Sequence, residues 1–139
     1  MLLIKGCKIN AIYVITVTQF GYKYIYLHSD RELMNIHNKS SLIDFWLKHA
    51  DSKKELELWF NDVSERTWHT PHDIKNNYTD ASIIGNSRVV FNICYNDYRL
   101  IVQFNYKKGW AFIKFIGTHK EYMKVDAETV NWFPKQKNK

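Results

Sequence analysis

Arg99, His119 and Tyr122 bring a permanent cation, an imidazole and a phenol into the last third of the chain. Arg99, in Asn96-Asp97-Tyr98-Arg99, offers a planar fork of N–H donors that suits a phosphate and stabilises negative charge as it develops. It alternates with Ile101, Gln103 and Asn105 on one side of an extended segment, opposite Tyr98, Leu100, Val102 and Phe104, as a cation on a binding face should. His119 follows an apolar run in Gly117-Thr118-His119, and imidazole is the side chain best suited to move a proton near neutrality. Tyr122, three residues on, shares a face with His119 if the segment is helical, and its phenol can donate a hydrogen bond, exchange a proton or stack on a flat ring. Lys114 adds a supporting phosphate contact, on the same side of its strand as Thr118. Arg88, Asn92 and Asn96 are weaker binding candidates, because asparagine can bond a base edge but also belongs in turns, and Asn96 reads first as a turn residue. The plainer readings are a surface salt bridge for Arg99, a hydrogen-bonded structural role for His119 and ordinary packing for Tyr122. His69, His72, Trp59 and Trp68 are explained by packing or exposure and carry no chemistry.

Three helix starts precede these residues. Ser41 is expected to cap a helix carrying Leu42, Phe45, Trp46 and His49 on one side. Ser52 and Glu55 have capping-box spacing before Leu56, Trp59, Phe60 and Val63, which recur at i, i+3, i+4 and i+7 and make an apolar stripe. Thr70-Pro71 pairs a capping hydroxyl with proline at the first helical position, predicting a short helix to about Asn76. The period then changes to that of strands: Arg88 to Cys94, Tyr98 to Asn105 and Trp110 to Thr118, rich in Val, Ile, Phe and Tyr. Tyr95-Asn96-Asp97 and Tyr106-Lys107-Lys108-Gly109 are hairpin-length connections, so these strands pair antiparallel in order. Ile83-Ile84 adds an edge strand, and a short helix is expected near Glu121 to Val125. The fold class is therefore α+β, N-terminal helices packed on one face of a three- to four-stranded antiparallel sheet whose other face is free to bind.

With 139 residues the chain suits one main domain, and 45% hydrophobic and 16% aromatic residues argue against wholesale disorder. Its net charge of +6 favours polyanionic partners such as RNA. Cys7 and Cys94 form no CxxC and no zinc-like cluster, so a disulfide framework and a structural zinc are poorly supported, and a reducing cytoplasm fits. The apolar run from Ile9 to Phe20 is too short and too polar to span a bilayer. Lys5 and Lys8 before it could mark a signal peptide, but no small-x-small cleavage site follows. Residues 1–33 read as an extension, with Met34 expected as the true start because Arg31-Glu32-Leu33 is compatible with purine-rich codons; the other reading is an added β-hairpin turning at Gly21. Residues 34–127 form the expected domain and residues 128–139 a basic tail.

The run "VVFNICYNDYRLIVQFNY" followed by "AFIKFIGTHKEYMKVD" resembles the centre and end of the HigB toxin family, a branch of the RelE-like ribonucleases. "ELELWFNDVSERTWHTPHDIKNNYTDASIIGNSRVVFN" extends the resemblance from about Ser41 to Val125. Its THxEY pattern falls on His119 and Tyr122 and strengthens the functional reading of His119. The family usually has arginine where Lys114 stands, so charge is kept and the bidentate geometry lost.

The resemblance implies a RelE-like microbial ribonuclease fold and a toxin that enters the ribosome and cuts translated messenger RNA. Cleavage would proceed without a metal or other cofactor, by attack of the ribose 2′-OH on the adjacent phosphorus. It further implies a HigA-type helix-turn-helix antitoxin as partner, with DNA engaged only through that antitoxin and no membrane involved. A competing reading is a non-catalytic RNA- or ribosome-binding module, which needs only cationic and aromatic contacts. A third is a protein-interaction domain with an acidic partner.

Overall fold

The computed structural model describes residues 2–5, 11–18, 21–28 and 33–132, and the chain divides into two compact units, Met1–Glu32 and Leu33–Lys139. In the first, β1 (Leu2–Lys5), β2 (Ala11–Thr18) and β3 (Gly21–His28) form an antiparallel sheet in that order. The β2–β3 hairpin closes with Thr18 opposite Gly21.

The second unit is α+β. Its strands are β4 (Asn35–His37), β5 (Ser82–Ile84), β6 (Arg88–Ile93), β7 (Tyr98–Asn105) and β8 (Trp110–Thr118). They form one five-stranded sheet ordered β4-β8-β7-β6-β5. The three long strands and the β5 edge lie where their Val, Ile, Phe and Tyr content places them. The expected three to four antiparallel strands are exceeded by β4, which pairs parallel with β8 through Asn35↔Trp110 to His37↔Phe112. Three residues carry too little pattern to announce a strand. Its position is fixed non-locally, by the Asn35 N–H donating to Gly109 O at 2.7 Å.

The helices are α1 (Lys39–Lys48), α2 (Lys53–Ser64), α3 (Pro71–Asn77) and α4 (His119–Tyr122). Ser41 does not cap α1. The chain turns at Asn38, in the left-handed region (φ 68°), and Ser41 donates its hydroxyl back to Asn38 O at 2.6 Å. Ser52 does precede α2, but a 3₁₀ turn over Ala50–Ser52 holds it in helical geometry, so its hydroxyl donates to His49 O and forms no capping box. Glu55, freed from that role, accepts the Cys94 N–H at 2.9 Å. At α3 the capping box forms between Thr70 and Asp73. There the backbone N–H groups of His69 and Thr70 hold the Asp73 carboxyl below its ordinary range.

One sheet face carries the main core. Val89, Phe91, Leu100, Val102 and Ile113 pack there against Leu42 of α1, Leu56, Trp59 and Val63 of α2 and Ile74 of α3. The other face, expected to be free, is partly covered. Val90, Ile101 and Phe115 form a second cluster beneath a strap running through Tyr122, Val125, Ala127 and Val130. Trp132 ends the described strap with its ring 4.4 Å from Phe115. The segment read as the start of a basic tail therefore packs through residue 132, while residues 133–139 lie outside the described residues. Among the described residues no helix is long and apolar enough to cross a membrane.

Candidate active site

The β6–β7 connection organises one end of the sheet. Cys94 and Tyr95 both take left-handed backbone conformations (φ 49° and 61°), and the Asp97 N–H closes the turn on Cys94 O. Each such non-glycine residue costs about 1 kcal/mol or more, a strain borne where the chain reverses tightly. The turn then grips two candidate residues. Arg99 Nη2 donates to Asn96 Oδ1 at 2.8 Å, while Nη1 donates to the backbone oxygens of Asn96 (3.1 Å) and Tyr98 (3.2 Å). The next residue, Asp97, accepts the His119 N–H at 2.9 Å, which ties the start of α4 to the same turn.

Arg99 is 9% exposed and forms no ion pair among the described residues, so a surface salt bridge does not explain it. Its guanidinium carbon lies 5.8 Å from the centre of the Tyr122 ring. The Tyr122 and His119 rings are 6.4 Å apart. The three candidates that sequence reasoning ranked first thus share one neighbourhood, reached from β7 and from both ends of α4. Helix α4 itself is set by a signal that was missed. Thr118 and Glu121 form a capping box, with Glu121 Oε2 2.7 Å from Thr118 N, so the helix begins at His119 and not near Glu121.

Asn92, Arg99 and Gly117 stand in one row across β6, β7 and β8. Asn92 is therefore brought beside Arg99, though its Nδ2 donates to Asp80 O at 3.3 Å. Gly117 has a steric reason to be glycine: a Cβ there would lie 2.7 Å from Phe115 Cζ and 3.0 Å from Glu121 Oε2. That carboxylate is the one capping α4.

The remaining candidates sit elsewhere. Ile101 pairs with Phe115 and Val102 with Ile113, leaving Lys114 as the extra residue of a β-bulge. The bulge shifts the alternation of β8, so that Ile113 and Ile116 enter the same core and Lys114 no longer shares a side with Thr118. Lys114 Nζ lies 5.6 Å from the Phe112 ring centre, and the residue stands three positions before Gly117. Arg88, 6% exposed, is committed to the strap: Nη1 donates to Ala127 O at 3.0 Å and Val130 O at 2.7 Å. Burial lowers its pKa, partly opposed by Asp126. Trp59 and Trp68 are core residues, as their positions implied.

The assembled chemistry is a nearly buried, fully oriented cation beside a phenol and an exposed imidazole. Such a cation is preorganised for an anion with developing charge, and the two rings carry the groups that can take and return a proton. Among the described residues no group of three or more His, Cys, Asp and Glu side chains is placed to hold a metal ion.

A family model described as HigB_toxin, RelE-like toxic component of a toxin-antitoxin system, matches residues 52–125, just over half of the chain. The match runs from the residue before α2 into the strap and includes Arg99, His119 and Tyr122. No curated protein matches the chain.

Proposed function

The chain belongs to the HigB toxin family, RelE-like toxic components of toxin–antitoxin systems, and on that premise we propose that it is an mRNA interferase cutting translated messenger RNA on the ribosome. The observation that carries the reading is the convergence of Arg99, Tyr122 and His119 around the turn at Asn96 and Asp97. In the proposed reaction the ribose 2′-OH attacks the adjacent phosphorus, the P–O5′ bond breaks, and the products are a 2′,3′-cyclic phosphate and a 5′-OH. Arg99 binds the phosphoryl oxygens as charge develops on them. His119 and Tyr122 share the proton transfers: one proton leaves the 2′-OH and one reaches the departing 5′-oxygen.

Asn92, whose strand pairing with Arg99 supports the reading, hydrogen-bonds a flanking nucleotide. Asn96 acts by orienting Arg99. Lys114, farther along β8, serves the RNA backbone, whereas the commitments of Arg88 to the strap favour a structural role. The partners that follow are a HigA-type helix-turn-helix antitoxin, messenger RNA in the ribosome, and DNA only through the antitoxin, all in a reducing cytoplasm.

The test is controlled expression of wild type, Arg99→Ala and His119→Ala at matched protein levels, with transcriptome-wide mapping of new RNA 5′ ends. New ends inside translated reading frames that vanish in the variants are expected. Growth arrest without new ends would replace the enzyme by a ribosome-binding module.

A further inference from the structure

We propose that Tyr95 is a nucleobase-stacking subsite, holding a base next to the phosphate that Arg99 binds; the identity of that phosphate rests on the ribonuclease reading above. Tyr95 is 96% exposed, the most exposed large hydrophobic side chain in residues 33–132. No hydrogen bond or ring contact within the described residues engages it. Packing therefore does not account for it. Nor does the turn: its backbone is left-handed (φ 61°), a conformation suited to glycine or asparagine and disfavoured for an aromatic residue. A tyrosine held in such a backbone, with both ring faces open to water, is poorly served by the fold alone.

Position supplies the rest. Tyr95 directly precedes Asn96, which grips Arg99, and Asp97, which anchors His119. Its Cα lies ~3.8 Å from that of Asn96. The ring therefore rises from the same turn that orients Arg99 and anchors His119. An aromatic face accepts any base, because every base presents a π-face. Asn92, by contrast, offers edge hydrogen bonds. Tyr95 thus contributes affinity and register with little sequence preference.

The experiment uses the full chain with RNA carrying 2-aminopurine beside a 2′-O-methylated cleavage position, both free and loaded on ribosomes with an open decoding site. Tyr95→Asn removes the ring while tolerating the left-handed backbone, and Tyr95→Phe keeps the ring. Fluorescence quenching should appear with wild type and Tyr95→Phe and be lost in Tyr95→Asn, with affinity falling about tenfold. Quenching and affinity that are absent throughout, or equal in all three proteins, overturn the subsite. Cleavage of unmethylated RNA is read separately. If it is absent while Tyr95-dependent quenching persists, the ribonuclease reading fails and the subsite stands; if cleavage is present without Tyr95-dependent quenching, the subsite alone fails.

Discussion

Asn96 holds Arg99 through two different oxygens, its side-chain Oδ1 at 2.8 Å from Nη2 and its backbone oxygen at 3.1 Å from Nη1. The second contact survives any substitution, so Asn96→Ala removes only one restraint on the guanidinium. We expect kcat to fall about tenfold, the value of one hydrogen bond to a charged group, with little change in melting temperature. Asn96→Asp should be worse. It keeps the acceptor but adds a negative charge beside the cation, which competes with phosphate and weakens RNA binding as well as turnover. Single-turnover cleavage and RNA titration of both variants check this; Asp matching Asn would show that Arg99 does not meet an anion.

Tyr122 presents two separable assets, a ring facing the Arg99 guanidinium at 5.8 Å and packing in the Phe115 cluster, and a hydroxyl. Tyr122→Phe preserves the ring. If the phenol moves a proton, this variant folds and binds RNA normally but cleaves about 100-fold more slowly. Tyr122→Ala should in addition lose stability and affinity. Comparing cleavage rates with thermal melts separates the two assets, and a Phe variant with the wild-type rate would confine Tyr122 to packing and positioning.

What could be read from the chain divides along a physical line. The strands β6, β7 and β8 and the cap of α3 were legible because their causes are local: β-branched and aromatic runs, short turns, and a hydroxyl preceding proline. The three-residue β4 and the fate of Glu55 were not, because each is decided by a partner far along the chain, Gly109 for Asn35 and Cys94 for Glu55. The bulge at Lys114 likewise leaves no local mark, yet it reverses which side of β8 the lysine occupies. The same limit applies to the site. Arg88 and Arg99 look alike in sequence and are almost equally buried, but one is bound to the strap and the other to the turn beside Tyr122. Residue types nominated Arg99 and Tyr122, and family resemblance singled out His119 among six histidines. Their convergence depends on the pairing of β7 with β8 and on where α4 begins.

The position of Arg88 makes its own prediction. Arg88→Met keeps the apolar stem but loses the hydrogen bonds to Ala127 O and Val130 O, which should cost about 1–3 kcal/mol and loosen the strap over Val90 and Phe115. Chemical denaturation measures the cost. The salt dependence of RNA binding should stay unchanged, because Arg88 is held by the strap, away from the turn that grips Arg99. A slope reduced by about one unit would return Arg88 to the RNA interface.

Alkaline pH should expose a second structural connection. Tyr98 donates its hydroxyl to both oxygens of Asp51 at 2.9 Å, and burial together with that bond pushes its pKa up to about 12. Burial and the neighbouring Glu55 carboxylate raise the Cys94 thiol to about 11, and burial raises Tyr106 to about 12. In each case the folded chain holds its proton more tightly than the unfolded chain. Their contribution is therefore complete below the unfolded pKa and is lost as pH rises through the folded value. Stability should start to fall near pH 9, as unfolded Cys94 ionises, and fall more steeply between about 10 and 12 as the tyrosines follow. Tyr98→Phe should be less stable at neutral pH, by about 1 kcal/mol, yet show a shallower decline above pH 10, because one raised tyrosine is gone and only Tyr106 and Tyr78, whose pKa burial and Asp62 also raise, remain to titrate. Denaturation midpoints measured from pH 7 to 11 decide it. A Phe variant declining as steeply as wild type would show that the fold does not tighten the Tyr98 proton.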